Sequence, residues 1–158
     1  MVNVFSAIEV VEMGIKIEEN GRDFYNGIIG LSDDKAAKEA FKLLSSEEEK
    51  HIKRFEVVLS KVKKYEPVEA YPNEYFSYIK SLSGEYVFIK EKKGTEIAGR
   101  IKTAKEAIKL GIGFEKDSIL FYQEMKKFVL TSEQSIIEEL LEEEKKHLKM
   151  LLELDKSA

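Results

Sequence analysis

Residues 14–25 read GIKIEENGRDFY, and residues 111–122 read GIGFEKDSILFY. Laid over one another without a gap, the two strings agree at Gly14/Gly111, Ile15/Ile112, Glu18/Glu115, Phe24/Phe121 and Tyr25/Tyr122. Each therefore sets one acidic residue at the same place among apolar neighbours. The repetition continues downstream, where SSEEEKHIKRF (45–55) is matched by LEEEKKHLKML (141–151). In both, a glutamate stands three residues before a histidine, Glu48-x-x-His51 and Glu144-x-x-His147, and these are the only two histidines of the chain. Glu18 precedes Glu48 by 30 residues and Glu115 precedes Glu144 by 29, so the repeating unit is a glutamate, a turn and a Glu-x-x-His motif.

The apolar residues around these motifs recur every three to four positions: Phe5, Ile8, Val11, Ile15 and Ile28, then Phe41, Leu44, Ile52, Phe55 and Leu59. Such spacing marks helices with one apolar face. Proline occurs only at Pro67 and Pro72, leaving a long proline-free stretch on either side. Gly30-Leu31-Ser32-Asp33-Asp34 reads as a break, with Gly30 in a left-handed C-terminal position, Ser32 as cap, and both aspartates in the next first turn. Thr131-Ser132-Glu133-Gln134 reads as a capping box. The expected helices are A at 3–29, B at 33–64, C at 100–129 and D at 132–155. Short connections fold A on B and C on D. Residues 65–99 then form the crossover, with a short helix predicted at 73–81. The expectation is one all-α domain over residues 1–158, made of hairpins 3–64 and 100–155. Two helical hairpins and one long crossover make the ferritin-like four-helix bundle.

The motif spacing has a chemical reason. Residues three apart on a helix share a face, so Glu48 with His51, and Glu144 with His147, can each approach one metal ion. Glu18 and Glu115 face them from the partner helices. Four carboxylates meeting in an apolar core would repel one another and resist desolvation, and two divalent cations cancel their charge. One Glu from each of two helices plus Glu-x-x-His from each of the others is the di-iron or di-manganese carboxylate arrangement. Zinc also suits oxygen and imidazole donors, without redox chemistry. Tyr25 and Tyr122 follow Glu18 and Glu115 by seven residues, close to two turns, and share their face. Their hydroxyls can bond a carboxylate of the site or be satisfied elsewhere in the core. Glu47, Glu49, Glu142 and Glu143 read as solvated helix face. Gly14 and Gly111, one turn before the glutamates, offer room for close helix approach.

Composition narrows the rest. The chain has 158 residues, 43% of them hydrophobic, and 35% charged with a net charge of only −4. That balance argues against a phosphate-neutralising nucleic-acid surface. The aromatic cluster Tyr65, Tyr71, Tyr75, Phe76, Tyr78, Tyr86 and Phe88 accordingly reads as bundle covering rather than base stacking. No cysteine is present, which excludes disulfides, thiolate metal sites and thiol catalysis. The first residues lack a basic segment, and no apolar run nears the ~18 residues that span a bilayer, so a cytoplasmic protein without membrane partners is expected. Abundant Glu and Lys fit a thermophile.

IEENGRDFY with EEEKHI, repeated as FEKDSILFY with EEEKKHL, resembles the rubrerythrin branch of the ferritin-like superfamily over nearly the whole chain. The resemblance implies Glu18, Glu48, His51, Glu115, Glu144 and His147 as ligands of two iron ions. Glu48 and Glu144 would bridge the metals, and Glu18 and Glu115 would bind one each. It implies a non-haem di-iron oxidoreductase of peroxidase or ferroxidase type, acting on peroxide, O2 or ferrous iron. The alternatives are an iron-binding or storage protein and a metal-stabilised structural bundle. Rubrerythrins usually carry a four-cysteine rubredoxin-like domain, absent from this sequence. The expected partners are therefore an external electron donor of the rubredoxin type and a second copy in a homodimer. Rubrerythrins also carry an extra glutamate one turn after the helix C ligand. Ser118 occupies that place here, and Asp117 is one residue off, which puts rubrerythrin-type peroxide reduction in question.

Overall fold

The computed structural model describes residues 7–31, 33–64, 93–127, 129 and 131–157. Among these residues the protein is all helical. Helix α1 spans Ala7–Ile28 and α2 spans Lys35–Lys64; α3 spans Lys93–Arg100, α4 spans Ala104–Met125, and α5 spans Thr131–Ser157. Helices α1 and α2 pack as one hairpin, α4 and α5 as the other, with α1 against α4 and α2 against α5. This is the bundle expected from the repeat. The predicted helix at 73–81 and the aromatic cluster at 65–88 lie outside the described residues.

The turns differ in detail from their sequence reading. Helix α1 closes with a 3₁₀ turn, Ile29–Leu31, and Gly30 has no positive φ there. Helix α2 starts at Lys35, two residues later than expected. Its cap is Asp34, whose Oδ1 accepts from the Ala36 amide at 3.1 Å while its carbonyl accepts from the Lys38 amide. Ser32 lies outside the described residues. The expected capping box does not form with Thr131 as cap, because Thr131 is already the first helical residue of α5; the Gln134 side-chain amide donates to the Lys126 carbonyl at 3.3 Å.

Helix C, expected at 100–129, is shorter, and a separate helix precedes it. Thr103 has an extended backbone, and its Oγ1 accepts from the Glu106 amide at 3.2 Å. Glu106 in turn accepts from the Lys102 amide at 3.3 Å. Thr-x-x-Glu is thus a working start signal at 103–106, and it sets α4 at 104 rather than 100. The preceding helix α3 is part of what was read as crossover. It lies directly on α1: the Gly94 amide points at Asn20 Oδ1, 3.4 Å away. A Cβ at Gly94 would run into the Asn20 backbone, and one at Gly27 would meet Ala98 at 2.6 Å. The glycines allow this backbone-close crossing.

The apolar core falls into two layers. One contains Val10, Val11, Phe55, Val58, Met125 and Leu140, drawn from the start of α1, the end of α2, the end of α4 and the start of α5. The other contains Phe24, Ile28, Phe41, Leu44, Ile108 and Leu151, from the opposite ends of the same helices. Phe24 meets Phe114 edge-to-face at 4.9 Å there. Pairing a helix start with a helix end is what antiparallel neighbours require. Between the two layers lies a belt of acidic residues and histidines.

Candidate metal centre

All six sequence-predicted site residues, Glu18, Glu48, His51, Glu115, Glu144 and His147, converge in this belt, and none is more than 5% exposed. Their donor atoms form two groups, each within 4.8 Å. One comprises Glu18, Glu48, His51 and Glu144; the other comprises Glu48, Glu115, Glu144 and His147. Glu48 and Glu144 belong to both. His51 Nδ1 lies 2.9 Å from Glu144 Oε1, 3.4 Å from Glu18 Oε2 and 4.0 Å from Glu48 Oε2. His147 Nδ1 lies 3.5 Å from Glu144 Oε2, 3.6 Å from Glu48 Oε1 and 3.8 Å from Glu115 Oε2. Each shared carboxylate therefore turns one oxygen to each histidine, the disposition that bridging two cations requires. The imidazoles stack nearly parallel, 5.4 Å apart.

The inward atoms lack hydrogen-bond partners. Glu18 Oε2, Glu115 Oε2, both oxygens of Glu144 and Nδ1 of both histidines are buried and unsatisfied. Orphaned buried polar atoms are costly and rare. Six of them pointing at one another, all oxygen or imidazole nitrogen, are the donor set of a divalent metal pair. The residues fit such a pair.

Protonation in the metal-free protein follows from the crowding. Burial, then the neighbouring Glu144, holds the Glu48 and Glu115 carboxyls well above the ordinary range. For His51, burial opposes the charged form, but Glu18 and Glu144 outweigh it and push the imidazole up to about 11. Glu144 is held well below the ordinary range: against the pull of burial, the neighbouring Glu115, His147 and His51 keep it ionised.

Tyr25 and Tyr122 do bond site carboxylates, but across the bundle. Tyr25 donates from α1 to Glu115 Oε1 on α4 at 2.7 Å, and Tyr122 donates from α4 to Glu18 Oε1 on α1. Each hairpin's tyrosine thus orients the other hairpin's glutamate. Burial and the adjacent carboxylates keep both phenols well above their usual range, so they remain donors. Gly111 makes room for this: a Cβ there would stand 3.3 Å from the Tyr25 hydroxyl, so the glycine admits a side chain rather than a helix. Gly14 plays a comparable part for Met125. Replacing Tyr122 with phenylalanine leaves a buried carboxylate oxygen without its donor. The expected cost is about 1–3 kcal/mol, measured as a lower urea midpoint at unchanged m-value.

Sequence reading misplaced two acidic residues, Glu143 and Glu47. Glu143 is not solvated face. It is half-buried and sits 2.7 Å from His51 Nε2, and its other oxygen accepts from Arg54 at 2.9 Å. Desolvation is outweighed by His51 and Arg54, which hold its carboxyl below the ordinary range. Glu47 is also partly buried, its side chain 23% exposed and near both histidines, though it pairs with Lys50; Glu49 and Glu142 pair with Arg22 and Lys145. The missed signal was the pairing of Arg54 with Glu139 and Glu143, four residues apart on one face of α5. Ser118 is buried, and neither it nor Asp117 belongs to the metal-capable groups found among the described residues.

Comparison with known proteins places this geometry. The sequence matches the rubrerythrin family over residues 9–155. The chain belongs to the rubrerythrin family. The solved structure of a Thermotoga maritima protein, described as ferritin-like and diiron-carboxylate, superposes with a TM-score of 0.71 at 25% identity. The match covers 98% of this chain and 97% of that one. No curated protein matches the sequence. The rubrerythrin family and its ferritin-like fold account for the repeated hairpins and the buried Glu/His cluster. No helix among the described residues is long and apolar enough to cross a membrane.

Proposed function

We propose that this protein is a non-haem di-iron oxidoreductase, with peroxide, O2 or ferrous iron as substrate. The reading rests on one observation: six buried Glu and His side chains form two groups that share Glu48 and Glu144, and five of the six turn inward atoms without hydrogen-bond partners. Glu18 with His51 would hold one iron, Glu115 with His147 the other, and Glu48 with Glu144 would bridge them. A ferrous pair bound there would supply two electrons, one from each iron, to peroxide or O2, itself becoming ferric. The residues do the rest. Tyr25 and Tyr122 fix the outer carboxylates so that their free oxygens face inward. The apolar layers on either side exclude water and sharpen electrostatic contrast. These 158 residues offer no cysteines for a rubredoxin-type iron, and turnover would draw electrons from an external donor of that type.

Anaerobic loading with two ferrous ions per chain, then rapid mixing with peroxide or O2, tests this reading. Ferric absorbance is expected to develop faster than for the same iron in buffer. Iron that binds but oxidises at the buffer rate would leave a binding protein, and sedimentation as a large hollow particle would favour storage.

A further inference from the structure

We propose that Glu143 and Arg54 make the two halves of the centre unequal, so that a first divalent cation is taken on the His51 side and a second, more weakly, on the His147 side. The inference rests on the dinuclear reading above and adds an order of filling to it.

The repeat reproduces the six donors faithfully, but not what stands behind them. On one side, Glu143 Oε2 lies 2.7 Å from His51 Nε2. That contact holds a proton on Nε2, so the nitrogen left for a cation to claim is Nδ1, which faces Glu18 and Glu144. Glu143 is itself held. Arg54 donates one nitrogen to Glu143 Oε1 at 2.9 Å and another to Glu139 Oε2 at 2.6 Å, a forked grip that spans one turn of α5. The chain Glu139–Arg54–Glu143–His51 thus locks one imidazole in the tautomer and orientation that binding needs.

On the other side, the repeat places Glu47 where Glu143 stands and Met150 where Arg54 stands. Glu47 lies near both histidines, yet its carboxylate pairs with Lys50 at 2.8 Å, and no hydrogen bond among the described residues joins it to His147. A thioether cannot grip a carboxylate as a guanidinium does. The His147 ring therefore has to be ordered when its cation arrives, a cost that the His51 ring has already met through folding. Glu143 is a positioning residue, and it acts through His51.

The test is a calorimetric titration of the chelator-stripped full chain with Mn2+, alongside a Co2+ titration read by its visible ligand-field absorption. Wild type is expected to bind two ions in resolved steps. Glu143→Gln should weaken the first step about 10- to 100-fold and shift the spectrum of the first Co2+ equivalent, while the second equivalent keeps its spectrum. Arg54→Met, which copies the other half, should produce a smaller change in the same step, and it stands in if Glu143→Gln does not fold. Glu47→Gln should leave both steps in place. Equal steps in wild type, an unchanged first step in the Glu143 or Arg54 variant, or an equal loss on the His147 side in Glu47→Gln overturns the inference while the dinuclear reading survives. Fewer than two Mn2+ ions bound to wild type would remove the dinuclear reading itself.

Discussion

Replacing Glu48 and Glu144 together with alanine is expected to reduce the bound metal from two ions per chain to less than one, and to bring ferrous oxidation down to the buffer rate. Both carboxylates direct one oxygen to each histidine, so each is counted in both metal-capable groups. Loss of either terminal glutamate weakens one side, whereas loss of the shared pair leaves each side with one carboxylate and one imidazole. Metal analysis after loading and desalting reads the stoichiometry, and stopped-flow absorbance reads the oxidation. The fold should survive, because the apolar layers above and below the belt are untouched. The metal-free double variant relieves part of the carboxylate repulsion that pushes the Glu115 carboxyl upward, so its thermal midpoint should not fall far below that of the metal-free wild type. Two ions still bound per chain in the double variant would sink the assignment of the bridges.

The second large effect is the dependence of stability on metal and pH. A ligand that binds only the folded state at 1,000 times its dissociation constant stabilises by about 4 kcal/mol. Two such ions add about 8 kcal/mol, or roughly 15–30 °C in midpoint for a chain of this size. The pH dependence should have opposite signs with and without metal. In the metal-free protein, Glu48 and Glu115 bind protons more tightly when folded, and His51 does so up to about 11. Their contribution is complete below the unfolded values and is lost as pH rises through the folded ones. His51 alone removes about 2 kcal/mol between pH 6.5 and 8. Glu144, whose carboxyl is lowered, works the other way, and its contribution is lost only as pH falls below the ordinary carboxylate range. Metal-free protein should therefore be less stable at pH 8 than at pH 6. Metal binding must expel the protons on Glu48, Glu115 and His51, so affinity and the stability gained from metal rise over the same interval. Thermal melts at pH 5, 6, 7 and 8, with chelator and with excess Mn2+, check both slopes. Parallel curves would show that the cluster does not exchange protons for metal.

The bundle was legible in the sequence because its signals are local and repeated. Apolar spacing of three and four gives the helices, and the scarcity of proline gives their length. The matched Glu18/Glu115 and Glu48-x-x-His51/Glu144-x-x-His147 give both the pairing of hairpins and the site. Boundaries were less secure where two start signals competed. Thr103-x-x-Glu106 starts α4 four residues after the expected 100, and Asp34 caps α2 in the described turn. In both places the boundary is set by which side chain reaches an unpaired amide, a matter of ångströms that composition does not resolve.

By itself the sequence determined the all-helical bundle, the six donor residues and their division into two like halves, because side chains three residues apart must share a helix face. Only the tertiary structure decided which hairpin's tyrosine serves which glutamate, which of four neighbouring acidic residues stands behind a histidine, and which carboxylates Arg54 grips. Those relations run between helices. They depend on the rotation and offset of one helix against another, which the packing of Phe24 on Phe114, Gly94 on Asn20 and the two apolar layers fixes and no run of residues encodes alone.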